Sequence, residues 1–199
     1  MCAIIGFISD NPTQQAVDTL KKVFIESKIR GMHAYGYAAI QRGTLMEHKS
    51  NGLKSLLPTI EKPTRLIGHC RYSTSGDYKD MNNNQPLRYG GEYLVFNGVI
   101  DMRTKAEMEA AYGIKMNSDN DGEIMLQTPN RTGLLKSGIT FSGLTLNSHA
   151  LAFFRNEGRP GYRATRFGAT YIASTADILR RCLLEPEPLN PHEVYEWTT

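Results

Sequence analysis

Cys2 stands directly behind the initiator methionine. Methionine is commonly trimmed before a small second residue, which would leave a thiol and a free α-amine on one residue. Such a terminus carries its own nucleophile and base, because an α-amino group, which ordinarily titrates at about 7.7–8, can take a thiol proton near neutral pH. A second-position cysteine on its own is more often incidental than catalytic. Three further segments hold groups suited to the same chemistry. In Gly68-His-Cys-Arg-Tyr-Ser-Thr-Ser-Gly76 an apolar strand opens into a hydroxyl-rich loop. Arg71 can hold a carboxylate there through two parallel N–H bonds, with Thr74 or Ser75 adding a donor. A surface arginine above a Ser/Thr turn is the blander alternative. In Phe96-Asn97-Gly98 an amide and a backbone N–H at a strand end can converge on a developing oxyanion, although an isolated Asn-Gly is far more often just a turn. Ser118-Asp-Asn-Asp-Gly-Glu123 is a polar loop entering a helix, where one carboxylate can grip an ammonium group or simply cap the helix. The full calcium-loop spacing is absent.

These residues must be held by ordered elements. Ala3 to Ile8 is a short apolar run that reads as a buried strand ending in a turn. Asn11 is expected to cap a helix with Pro12 at its first position, and Ala16, Leu20, Val23 and Phe24 recur at helical spacing up to Arg30-Gly31. Tyr35–Gln41 and Thr44–His48 flank Arg42-Gly43 as a hairpin. Arg65–Cys70 and Glu92–Phe96 read as strands, the second stopping at an Asn97-Gly98 turn. Helices are expected over Thr104–Tyr112, Asp121–Gln127 and Thr175–Leu184. Further strands fall near Ile139–Leu144, His149–Arg155, Ala169–Ala173 and Val194–Trp197. Many short strands with few helices indicate one α+β domain with largely antiparallel sheets.

Composition narrows the function classes. The chain has 199 residues, 40% hydrophobic and 22% charged, which suits an ordinary globular protein and not a disordered or fibrous one. Twenty-three basic residues against 20 acidic leave a net charge of only +3 with no basic block, so no nucleic-acid partner is expected. Three widely spaced cysteines do not make a disulfide framework and favour a reducing compartment. Cys70 and Cys182 read as small buried hydrophobes and His69 as a satisfied core histidine. No metal-ligand spacing occurs. The apolar N-terminus lacks a basic flank and ends too soon for a signal peptide or membrane span, so a cytoplasmic protein without membrane contact is expected.

Each chemical signal is weak alone, but their order is informative. Cys2 with the strand to Phe7, Arg30-Gly31-Met-His-Ala-Tyr-Gly36, Gly68–Gly76, Asn84-Gln-Pro86, Asn97-Gly98 and Asp121-Gly-Glu123 follow one another along the chain, with Ile172-Ala-Ser174 and Glu193-Val-Tyr195 near its end. Together they resemble the class II glutamine amidotransferase domain of the N-terminal nucleophile hydrolases, closest in motif to the amidophosphoribosyltransferase type. Four positions depart from the family pattern: Ala3 stands where Gly usually follows the nucleophile, His33 where Asp is common, Phe96 where His often precedes Asn-Gly, and Met102 where Asn is frequent.

The resemblance implies a four-layer α/β/β/α sandwich and a glutaminase activity. Cys2 would attack the glutamine side-chain amide, with Asn97 and Gly98 holding the oxyanion. Arg71, helped by Thr74, would bind the α-carboxylate. Asp121 and the Gly98 backbone would bind the α-ammonium, Tyr72 would line the pocket, and Arg30 would support the nucleophile. No cofactor or metal is implied. Residues 1–199 read as a single glutaminase domain without an acceptor domain, so the expected partners are L-glutamine and a separate ammonia-accepting synthetase or transferase subunit. The alternatives are a hydrolase of another γ-glutamyl-type amide and a non-catalytic glutamine-binding or scaffold module.

Overall fold

The computed structural model describes residues 1–73, 76–129 and 131–198. The chain begins with β1 (Ala3–Ile8), then α1 (Gln14–Ser27), the hairpin β2 (Ala34–Gln41) and β3 (Thr44–Ser50), the short α2 (Leu53–Leu56) and β4 (Arg65–Arg71). A second group comprises β5 (Leu87–Tyr89), β6 (Glu92–Val99), α3 (Lys105–Tyr112), α4 (Gly122–Gln127), α5 (Arg131–Lys136), β7 (Thr140–Leu146) and β8 (Ala150–Arg155). The chain then adds β9 (Tyr162–Arg166), β10 (Ala169–Ala173), α6 (Ala176–Arg181), β11 (Glu187–Pro188) and β12 (Val194–Thr198). Among the described residues the strands form two antiparallel sheets, ordered β11-β9-β10-β1-β4-β2-β3 and β12-β8-β7-β6-β5.

Three apolar cores separate four layers. Alternation along β1 sends Ala3, Ile5 and Phe7 to one face, where Ala16, Leu20, Val23 and Phe24 of α1 and Ile178 and Leu179 of α6 cover them. Ile4 goes to the other face and packs with Ile67, Val95, Leu144, Phe153 and Ile172 between the sheets. The outer face of the second sheet buries Phe96, Phe141 and Phe154 under Met108, Ile124 and Met125. This is the α/β/β/α sandwich implied above, and a strand covered on both faces explains why β1 reads as an unbroken apolar run.

The structure corrects several boundaries. Thr13, not Asn11, caps α1: its side chain accepts from the Ala16 N–H. Asn97 and Gly98 do not form a turn but continue β6, in register with Ser142 and Phe141 of β7. Gly is required there, since a Cβ on Gly98 would lie 1.9 Å from the Thr140 carbonyl oxygen. The last helix stops at Arg181, short of Leu184. Strands β5, β9 and β11 and helices α2 and α5 carried no clear sequence signal. The β9–β10 hairpin turns on Phe167-Gly168, with φ of 57° and 71°, a left-handed pair without the usual Asn or Asp. Among the described residues no helix is long and apolar enough to cross a membrane.

Candidate active site

The N-terminal segment leads into β1, an interior strand bonded to β4 and β10. Arg30 Nε donates to the Cys2 carbonyl at 2.9 Å, and Ser174 Oγ accepts from the Ile4 N–H at 2.9 Å, so the backbone at and just after Cys2 is tethered. The Cys2 sulfur meets the backbone just beyond β4: the Tyr72 N–H donates to it at 3.4 Å, and the thiol donates to the Tyr72 carbonyl at 3.5 Å. Burial pushes the Cys2 thiol up, against the pull of the Tyr72 N–H, the terminal ammonium, Arg71 and Arg30.

Cys2, Arg71, Tyr72, Gly98 and Asp121 line one narrow cleft of about 30 Å³, together with Gln85, Phe96 and Asn120. Five residues singled out by type are thus brought together from four separate segments. Arg71 is buried, and its guanidinium donates to Asn84 Oδ1 and to the Gly76 carbonyl. Asp121 sits at the start of α4 without capping it. Its Oδ2 instead accepts from the Ile100 and Asp101 N–H groups at 2.7 and 3.2 Å, tying α4 to the end of β6. Burial pushes its carboxyl up, partly offset by those N–H bonds. Arg30 lies beside the cleft, in a neighbouring hollow with Met1 and Tyr72. Thr74 and Ser75 lie outside the described residues.

Asn97 is buried, and its Nδ2 has no hydrogen-bond partner among the described residues. The same holds for Oγ of its cross-strand neighbour Ser142 and for both ring nitrogens of His69. His69 is a core histidine as expected, fully buried, and among the described residues only the Phe96 backbone is near enough to bond its ring weakly. Burial, with Arg71 nearby, pushes its imidazole down to about 3, which keeps it neutral. An unpaired buried amide donor costs free energy unless something fills its bonding capacity.

Sequence reasoning quoted Asn84-Gln-Pro86 and Asp121-Gly-Glu123 as motifs but gave no role to the residues that brace the cleft. Gln85 Oε1 accepts from the Phe96 N–H at 2.6 Å, and Asn83 Oδ1 accepts from the Asp119 N–H at 2.8 Å. Asn120 Nδ2 donates to the Asn83 carbonyl at 3.0 Å. Glu123 accepts from the Asn117 and Ser118 N–H groups at 2.8 and 2.6 Å, anchoring the loop before α4. For Asn83 the available signal was the dense Asn82-Asn83-Asn84-Gln85 run, more amide than a surface turn needs.

No protein-family model matches the chain. Glutamine–fructose-6-phosphate aminotransferase of Halobacterium salinarum is 32% identical over 129 residues, 63% of this chain and 21% of the relative. That of Rhizobium meliloti is 31% identical over 134 residues, again 63% and 21%. The chain thus spans about a fifth of the length of these curated relatives. Among solved structures, the PRPP amidotransferase of Bacillus subtilis superposes with a TM-score of 0.77 at 19% identity, covering 99% of this chain and 47% of that one. A glutamine aminotransferase class-II domain protein of Silicibacter pomeroyi gives 0.58 at 10% identity, covering 99% and 95%. The chain is related to the class II glutamine amidotransferases and carries their fold. Within this glutamine amidotransferase fold, the departures at Ala3, His33 and Phe96 all fall at or beside the cleft. Ala3 is accommodated in the extended β1 backbone, its side chain buried against the α1 face. Phe96 points its ring away from the sheet interface and stacks on Phe141 at 5.4 Å.

Proposed function

We propose that the protein is a glutaminase that releases ammonia from L-glutamine through a γ-glutamyl thioester on Cys2. The observation that carries this reading is one cleft holding a thiol, a guanidinium and a carboxylate, with an unpartnered amide at Asn97 on the strand beside it. Arg71 takes the substrate α-carboxylate, assisted by Thr74, and Asp121 takes the α-ammonium along with the Gly98 backbone. Tyr72 walls the pocket, and Arg30 holds the nucleophile's own carbonyl. A zwitterion fixed at both ends presents its side-chain amide to the sulfur.

Removal of Met1 moves the terminal amine onto Cys2, next to the sulfur it must activate. That amine takes the thiol proton, and the thiolate attacks the amide carbon. Asn97 Nδ2 and the Gly98 N–H stabilise the resulting oxyanion, a contribution usually worth about 10²–10³-fold in kcat per donor. The ammonium then returns its proton to the leaving nitrogen, and ammonia departs as the thioester forms. Water cleaves the thioester to glutamate and regenerates the thiol. The ammonia is passed to a separate synthetase or transferase subunit, a reading supported by the aminotransferase and amidotransferase names of the relatives.

Intact mass of the purified protein, before and after 6-diazo-5-oxonorleucine, tests the proposal. The expected result is a mass lacking Met1 and a single adduct localised to Cys2. Cys70 and Cys182 should stay unmodified, since burial pushes both thiols up, the latter to about 11. A retained Met1 with no adduct would overturn the reading in favour of a non-catalytic glutamine-binding module.

A further inference from the structure

His33 lies in the turn between Arg30 and β2, and its backbone N–H donates to the Arg71 carbonyl at 3.0 Å. Its ring stands between Tyr72 and Tyr78, with centroids 4.9 Å away on each side and planes tilted by 26° and 25°. Nδ1 accepts a hydrogen bond from the Ser73 N–H at 2.9 Å. That N–H belongs to the same peptide group as the Tyr72 carbonyl, which accepts from the Cys2 thiol. A peptide group is planar and rigid, with its C=O and N–H pointing in opposite directions. Holding the Ser73 N–H therefore fixes where the Tyr72 carbonyl sits, and any rotation that breaks the His33 bond sweeps that oxygen away from the sulfur.

We propose that His33 is a positioning residue that sets the Cys2 thiol through the Tyr72–Ser73 peptide. The stacked tyrosines keep the ring in plane, while the Nδ1 acceptor sets the peptide. The inference rests on the glutaminase reading for its effect on turnover, but its effect on the thiol can be measured separately. Misplacing a reacting group by a fraction of an ångström is costly in rate and leaves substrate binding largely intact.

Two substitutions separate the ring from the acceptor. His33→Phe keeps a flat ring between the tyrosines and removes the acceptor. His33→Asn puts an amide oxygen near the Nδ1 position and removes the ring. The full chain of each variant, with His33→Ala as reference, is assayed for glutamine turnover and for the rate of Cys2 alkylation by iodoacetamide, which requires no glutamine recognition. His33→Phe is expected to lose about tenfold in kcat with KM within about twofold, with alkylation slowing in parallel. His33→Asn is expected to keep both rates within about threefold of the parent. If His33→Phe matches the parent, or if His33→Asn falls as far as His33→Ala, the proposal is overturned. The second comparison holds even if the Phe variant does not fold. If the parent protein turns over no glutamine, the glutaminase reading fails, while the alkylation rates still decide the role of His33.

Discussion

Asp121 is the residue where binding and stability pull in opposite directions. Its carboxylate is buried, and burial makes it harder to ionise in the folded chain than in the unfolded one. A carboxyl raised in this way costs the folded state whenever it is charged. The cost is full above its folded pKa and fades as pH falls through that value toward the unfolded one. Asp121→Asn keeps an oxygen for the Ile100 and Asp101 N–H groups and removes the charge. The variant is expected to have a higher Tm than the parent near neutral pH, with the two melting temperatures converging in acid. Its KM for glutamine should rise about tenfold through loss of a charge-assisted bond. Thermal melts across a pH series, beside steady-state kinetics, check both halves. Cys2, Arg71 and Asp121 were legible as candidates because only a few residue types can supply a nucleophile or a charge clamp. His33 was legible only as a departure from the family pattern, because its bond to the Ser73 N–H joins two segments 40 positions apart.

Among the elements, β6 matters most to the cleft, because it carries Phe96, Asn97 and Gly98 and ends at the N–H groups that Asp121 holds. Its Phe96 N–H is satisfied by the Gln85 side chain. Gln85→Leu would leave that buried donor bare and is expected to cost about 1–3 kcal/mol. Urea unfolding reads the loss, and kcat should fall with it as Asn97 loses its fixed frame. The strands with apolar runs and the helices with regular spacing were readable from composition and period. What misled was Asn-Gly, which local preference assigns to a turn, whereas pairing of β6 with β7 extends the strand through it. The hairpin at Phe167-Gly168 was invisible for the converse reason, since tertiary packing imposes a left-handed φ on a phenylalanine.

At the scale of the whole molecule, the layer between the two sheets is what joins them. Ile67 is fully buried there, and Ile67→Ala is expected to cost about 2–5 kcal/mol. Trp197, the single tryptophan, packs at the edge of this layer beside Tyr195. Its fluorescence and far-UV circular dichroism should report one coincident unfolding transition if the layers melt together. The four-layer order was legible only through the family resemblance, because pairing of β1 with β10 joins residues more than 160 positions apart. That pairing also has a consequence for synthesis. The ribosome makes β1 first and one of the two strands that flank it almost last, so β1 cannot take its final place until most of the chain has emerged. Under the proposed reading, that interval is when Met1 can be removed and Cys2 unmasked, before the fold closes around the thiol.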